Sequence, residues 1–122
     1  MLIRNILEES VRKFDEVKAV KWLKKKEIME RSYGELMENV VSTRKGLLAE
    51  GFEGKHIALI GTSSVEWMES YLGIITGCTT AVPLDAALPC EDLIDLLNRS
   101  DSAALFLSPK LRPYLDAFLG NC

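Results

Sequence analysis

Long apolar runs are missing from this chain: no stretch of it approaches the ~20 consecutive apolar residues needed to cross a bilayer. The opening MLIRNILEES turns polar within a few residues and does not read as a signal peptide. Histidine occurs once, as His56, and Cys78, Cys90 and Cys122 show no CxxC spacing. That odd set supports neither a zinc site nor a disulfide framework, and Cys122, as the last residue, cannot form a prenylation box. A cytoplasmic, reduced protein without a transmembrane segment is expected. Broad positive charge is also absent, since 15 basic residues stand against 18 acidic ones for a net charge of -3. Without a field to attract phosphate backbones, nucleic acid is not an expected partner. The single basic run, Lys24-Lys25-Lys26 beside Glu27, reads as a solvated hairpin tip rather than a phosphate or lipid site.

What is present suits one soluble domain spanning residues 1–122, with 48% apolar residues and no repeat, linker or low-complexity segment. Residues 2–14 place Leu2, Ile3, Ile6, Leu7, Val11 and Phe14 at helical spacing, which predicts an amphipathic surface helix. Ala19–Leu23 and Ile28–Arg31 flank the lysine turn as an antiparallel hairpin. Ser32 and Glu35 then form an S-x-x-E capping box, so a helix should start at Tyr33. It should stop near Glu50, where Gly51 can take a left-handed cap and Phe52 can touch Leu47.

From there the pattern alternates. His56–Ile60 is a short apolar strand, and Ser64 opens a helix carrying Trp67, Met68, Tyr71, Leu72, Ile74 and Ile75. So apolar a helix is expected to be buried on two sides, with Gly73 and Gly77 marking close backbone packing or, at Gly77, a C-cap. Thr79–Leu84 follows as a strand in which Pro83 either ends the pairing or lies where no partner faces its nitrogen. Glu91–Asn98 is a helix, Ala103–Leu107 a strand, and Pro109 begins a last helix with Leu111, Tyr114, Leu115 and Phe118. The alternation implies an α/β fold in three layers, a mainly parallel sheet with helices on both faces, preceded by the first helix and the hairpin.

Ligands of such sheets bind at the carboxyl ends of the strands, which points to Gly61-Thr62-Ser63-Ser64, Asp85-Ala86-Ala87 and Ser108. The first loop has one glycine and no lysine, so it is neither a dinucleotide fingerprint nor a phosphate-cradling loop, and Ser64 reads as an N-cap. Asp85 reads as a turn residue and His56 as a strand-edge residue without an acid partner. Ser102 and Ser108 lie in no nucleophile elbow, and Trp67 with Tyr71 reads as core packing. The residues alone therefore give no catalytic, cofactor-binding or metal-binding set. A receiver-like or flavin-binding domain is disfavoured, because the acidic pair or phosphate loop is missing at the first strand's end.

Taken together, Ser32-Tyr33-Gly34-Glu35-Leu36, Gly54-Lys55-His56-Ile57-Ala58-Leu59-Ile60-Gly61, Glu66-Trp67, Tyr71-Leu72-Gly73, Gly77 and Val82-Pro83-Leu84-Asp85 resemble the opening of AMP-forming acyl-CoA synthetases. The resemblance runs from about residue 2 to residue 109. Leu88-Pro89, Asp92-Leu93 and Asn98-Arg99-Ser100-Asp101 resemble the bacterial long-chain fatty acid branch. One departure is Ser63, which stands in the loop before Glu66-Trp67 where the family usually has an asparagine followed by a small or polar residue. What the resemblance implies is a partial N-terminal subdomain of the adenylate-forming fold and a parent enzyme using ATP, Mg2+ and CoA to activate a fatty acid. The family's phosphate loop ending in P-K-G, its ATP-site acidic residues and its catalytic lysine would then lie beyond Cys122. This chain is expected to be an inactive scaffold partnered by the rest of the synthetase, and to dimerise through apolar surface in its absence. The competing expectation is a free-standing, non-catalytic binding or regulatory module.

Overall fold

The computed structural model describes residues 3–61, 64–108 and 111. Helix α1 (Ile3–Phe14) leads into the hairpin of β1 (Lys18–Lys24) and β2 (Glu27–Ser32), followed by α2 (Tyr33–Ala49), β3 (His56–Ile60), α3 (Val65–Ile75), β4 (Thr80–Leu84), α4 (Cys90–Arg99) and β5 (Ser102–Leu107). The expected element order is met through β5, with ends differing by a residue or two. The helix expected from Pro109 falls largely outside the described residues.

Helix α2 is bounded by both of the devices its sequence announces. At the start, Ser32 Oγ accepts from the Glu35 amide at 3.1 Å, and the Glu35 carboxylate accepts from the Ser32 amide at 2.9 Å. Hydrogen bonding from Ser32 holds the Glu35 carboxyl below its ordinary range, the Ser32 backbone amide being the larger cause and the Ser32 hydroxyl the next. At the end, Gly51 takes φ +80°. Its amide reaches Leu48 O and the Phe52 amide reaches Leu47 O, both at 3.1 Å, which is the double closure of a Schellman ending. Phe52 then packs on Leu47 in the core. Ser32→Ala removes the reciprocal cap and is expected to cost about 1 kcal/mol in chemical denaturation, with little change in the slope.

The hairpin turns in two residues, and both have positive φ, Lys25 at 50° and Lys26 at 68°. That backbone suits the right-handed twist of the strands but favours Asn-Gly, so each lysine there carries strain of about 1 kcal/mol or more.

Strands β3, β4 and β5 form a parallel sheet in the order β4-β3-β5, with Ile57 opposite both Ala81 and Ala104. Going from β3 to β4 the chain steps one way, and going from β4 to β5 it returns past β3. With right-handed crossovers, that reversal places α3 and α4 on opposite faces of the sheet. Pro83 faces Leu59 from β4, an edge strand among the described residues, so its missing donor breaks no ladder on the outer side. Ile57, Ile60, Ile74, Leu93 and Val40 are fully buried, and Leu47, Ile57 and Ile74 form the central cluster. A run that alternates out of the core on no residue is what a central parallel strand requires, and Ile57–Ile60 is such a run.

Helix α3 is positioned by small side chains. A Cβ placed on Gly73 would come within 2.5 Å of Thr43 Cβ and 3.1 Å of Val40 O, so glycine is what lets α2 and α3 touch backbone to side chain. Gly77 has no positive φ. Its hydrogen leaves room for Arg44 Cγ, 3.0 Å from where a Cβ would stand, so of the two expectations for it the packing one holds. The two-sided burial expected of α3 is only partial: Val65, Glu69, Gly73 and Ile74 are buried, whereas Trp67 and Tyr71 remain partly exposed.

Candidate functional site

A cavity of about 570 Å³ opens at the carboxyl ends of β3 and β5. Its floor is Leu59, Ile60 and Gly61 from β3 with Phe106, Leu107 and Ser108 from β5, one side is the first turns of α3, and the other is Trp22, Leu23 and Lys24 of the hairpin. Ligands of open parallel sheets bind at this end of the strands. Gly61 sets the neck. A side chain on it would press at 3.2 Å on both Ser108 Cβ and Trp67 Cδ1.

The loops singled out in the sequence divide between this cavity and elsewhere. Gly61, Ser64 and Ser108 border it, whereas Thr62 and Ser63 lie outside the described residues. Ser64 Oγ accepts from the Trp67 amide at 3.1 Å, so it is the N-cap of α3. The Ser108 amide donates to Ile60 O at 3.0 Å and extends the ladder by one bond. Asp85 Oδ1 accepts from the Ala87 amide at 2.9 Å in a local turn. Trp67 stacks on Tyr71 with ring centroids 5.3 Å apart and planes at 8°. The Trp67 ring is thus a cavity wall braced by Tyr71 rather than a core residue.

His56 begins β3, at the end of the strand away from the cavity, a separation of about 13 Å at strand rise. Its Nδ1 lies 2.6 Å from Ser100 O, and Ser100 Oγ lies 2.7 Å from Ser102 Oγ. These contacts tie β3 to the turn before β5. Lys24, Lys25 and Lys26 are exposed at the hairpin tip. Cys78 is exposed and free. No three His, Cys, Asp or Glu residues lie together as metal donors among the described residues.

One group went unnoticed in the sequence. Glu69 is buried in α3, where its Oε2 accepts from Asn39 Nδ2 at 2.8 Å and lies 3.2 Å from Arg31 Nε, a charge contact not aligned as a hydrogen bond. Arg31 Cζ in turn sits 5.4 Å from the centroid of the Trp22 ring. Burial pushes the Glu69 carboxyl above its ordinary range, against the opposing pull of Asn39 and Arg31. The signal was available: Glu69 falls midway between Val65 and Gly73, at four-residue spacing on the buried stripe. Through this link, α3 and α2 hold the hairpin whose Trp22 walls the cavity.

The site therefore has shape and apolar walls, and no described nucleophile with a base at hand. Comparison with known proteins supplies the family. The model of the AMP-binding enzyme family matches residues 7–119. The chain belongs to that family. No curated protein sequence matches it. Among solved structures, it is similar to the inhibitor-bound N-terminal domain of FACL13 from Mycobacterium tuberculosis, with TM-score 0.84 and 20% identity over 95% of this chain and 29% of that one. It is also similar to a fatty acid AMP ligase from Legionella pneumophila, with TM-score 0.78 and 16% identity over 88% of this chain and 19% of that one. The anthranilate CoA ligase AuaEII aligns at TM-score 0.82 and 18% identity, over 99% of this chain and 23% of its own. At such identities the likeness is one of fold, and the chain spans less than a third of each of these structures. The helix, hairpin and parallel sheet of this AMP-binding chain are those of the N-terminal domain of adenylate-forming enzymes.

Proposed function

We propose that this chain is the N-terminal scaffold portion of an ATP-dependent fatty acid CoA ligase and is catalytically inactive on its own. The observation that supports the reading is the family match over residues 7–119, joined to a cavity with apolar walls and no reactive pair among the described residues. In the whole enzyme, a fatty acid carboxylate attacks the α-phosphorus of ATP and expels pyrophosphate. The thiol of CoA then attacks the acyl carbon of the adenylate and AMP leaves. In this reading ATP and magnesium, which would neutralise phosphate charge in the first step, are held by the remainder of the synthetase.

This segment contributes a rigid edge of sheet, on which later loops are held by packing. Ile3, Ile6 and Phe14 of α1 are about half exposed, and we assign them to contact with the rest of the synthetase or, in the separated chain, with a second copy. The test is to incubate the longer protein that carries this chain with ATP, Mg2+, CoA and fatty acids of graded length, and to follow AMP and acyl-CoA by mass spectrometry. Acyl-CoA formed with a stoichiometric yield of AMP is expected. Acyl-adenylate accumulating with CoA unused would contradict the CoA ligase assignment while leaving the family intact.

A further inference from the structure

The hairpin is tied to the rest of the chain by few polar contacts. Its two strands form a sheet of their own, separate from the β4-β3-β5 sheet. At its base the Tyr33 amide donates to Val17 O at 3.0 Å and the Gly34 amide to Asp15 O at 2.9 Å. Apart from these bonds and the Ser32 cap, Arg31 with Glu69 is the one ion pair that joins the hairpin to the helices among the described residues.

That contact is one of charge. Arg31 Nε lies 3.2 Å from Glu69 Oε2 without being aligned on it, and this buried nitrogen has no hydrogen-bond partner. An aligned hydrogen bond would outlast protonation, because a neutral carboxyl still has an oxygen that accepts, whereas a contact made by charge does not. Arg31 in turn fixes a ring. Its direct cross-strand partner is Val20, which makes Trp22 its diagonal one, and Arg31 Cζ sits 5.4 Å from the Trp22 centroid. The cover over Glu69 comes from the α2 side: Asn39 bonds the carboxylate, and Gly73, four residues along the same stripe, abuts Thr43 and Val40. Glu69 therefore stays covered by α2 when Arg31 leaves it.

We infer that Glu69 is a pH-sensitive latch: ionised, it holds Arg31 and so seats Trp22 as a wall of the cavity, and on taking up a proton it lets both go. The groups that face the carboxyl are Arg31 from β2, Asn39 from α2 and Glu66 from α3 itself. Burial is the largest influence and, with Glu66, favours the neutral form, which lifts the release above 4.5, where exposed glutamates are mostly ionised. Asn39 and Arg31 favour the ionised form, and by reciprocity the ionised form favours Arg31 in place. Proton uptake thus has two effects of different reach. It relieves a buried charge, which stabilises the whole chain against unfolding, and it frees the hairpin locally. The latch belongs to the fold of this chain and does not depend on the reaction assigned to the whole enzyme.

The test is acrylamide quenching of Trp22 fluorescence as pH is lowered from neutral, read in a Trp67→Phe background that leaves Trp22 as the one tryptophan. The quenching constant should rise with a midpoint above 4.5 while far-UV circular dichroism stays unchanged. Glu69→Gln keeps an oxygen for Asn39 but no charge, and should show the raised constant at every pH. Glu66→Gln should keep the transition and move it to lower pH, since a like charge that favours protonation is gone. Arg31→Gln removes the charge from the other side at a partly exposed position and should match Glu69→Gln, so the latch is tested even where the core variant fails to fold. A constant that does not change with pH until the chain unfolds, or a transition that persists in Glu69→Gln or Arg31→Gln, would overturn the inference.

Discussion

Gly73→Val is expected to lower the unfolding free energy by about 3 kcal/mol, one of the largest losses of any single substitution in this chain. By helix propensity alone the sign would be opposite, since replacing an interior glycine gains up to about 1 kcal/mol when alanine is the substitute. Steric contact decides otherwise. The new Cβ would fall 2.5 Å from Thr43 Cβ and 2.6 Å from Thr43 Cγ2, with Val40 O at 3.1 Å, and none of these is the free end of a long side chain. To relieve it α3 must move off α2, and that loosens Ile74 from Leu47 in the central cluster. Gly73→Ala should show the same effect at reduced size. Thr43→Gly removes the atoms that Gly73→Ala strikes, so the pair should be less damaging together than the sum of the two singles, as chemical denaturation in a double-mutant cycle would reveal.

Glu69→Ala is expected to cost about 3 kcal/mol, the lower end for breaking a buried ion pair, because Arg31 keeps 23% side-chain exposure and can regain some water. The loss should extend beyond stability. Without Glu69 the Arg31 guanidinium has no fixed place beside Trp22, and Trp22 fluorescence, read in a Trp67→Phe background, should become more accessible to quencher. The ionisation has a definite sign. Burial raises the Glu69 carboxyl above its ordinary value of 4.5 in the folded chain, so between that value and the raised one the folded state holds more protons than the unfolded. Its contribution to stability is therefore fully present below 4.5 and is lost as pH rises through the raised folded value. Relative to Glu69→Gln, the parent should lose stability upward across that window. Glu35 acts oppositely, its contribution being present above 4.5 and lost as pH falls through its lowered folded value.

Local signals in this sequence were legible because they rest on neighbours along the chain. Ser32 with Glu35, and Gly51 with Phe52, specify both ends of α2 through bonds that span no more than five residues. The apolar run Ile57–Ile60 and the alternation around it likewise pointed to the parallel sheet. What escaped depends on contacts distant in sequence. Trp67 looked like a core residue by its helical spacing, yet β3 and β5 end beneath it and leave a cavity, a matter of strand order that periodicity does not encode. Glu69 was missed because its partners, Arg31 and Asn39, come from β2 and α2. The lysine turn read as a solvated hairpin tip and is one, with Lys24, Lys25 and Lys26 exposed, whereas the positive φ of Lys25 and Lys26 is not visible before strand register is known.

The central claim is that this chain belongs to an adenylate-forming enzyme but holds only scaffold, with the chemistry assigned elsewhere in the synthetase. ATP–pyrophosphate exchange measured on the purified 122-residue chain with a series of fatty acids tests it most directly. The account predicts no exchange above the protein-free blank with any acid. Fatty-acid-dependent exchange that follows the folded chain through purification, and disappears when α3 is displaced by Gly73→Val, would contradict it.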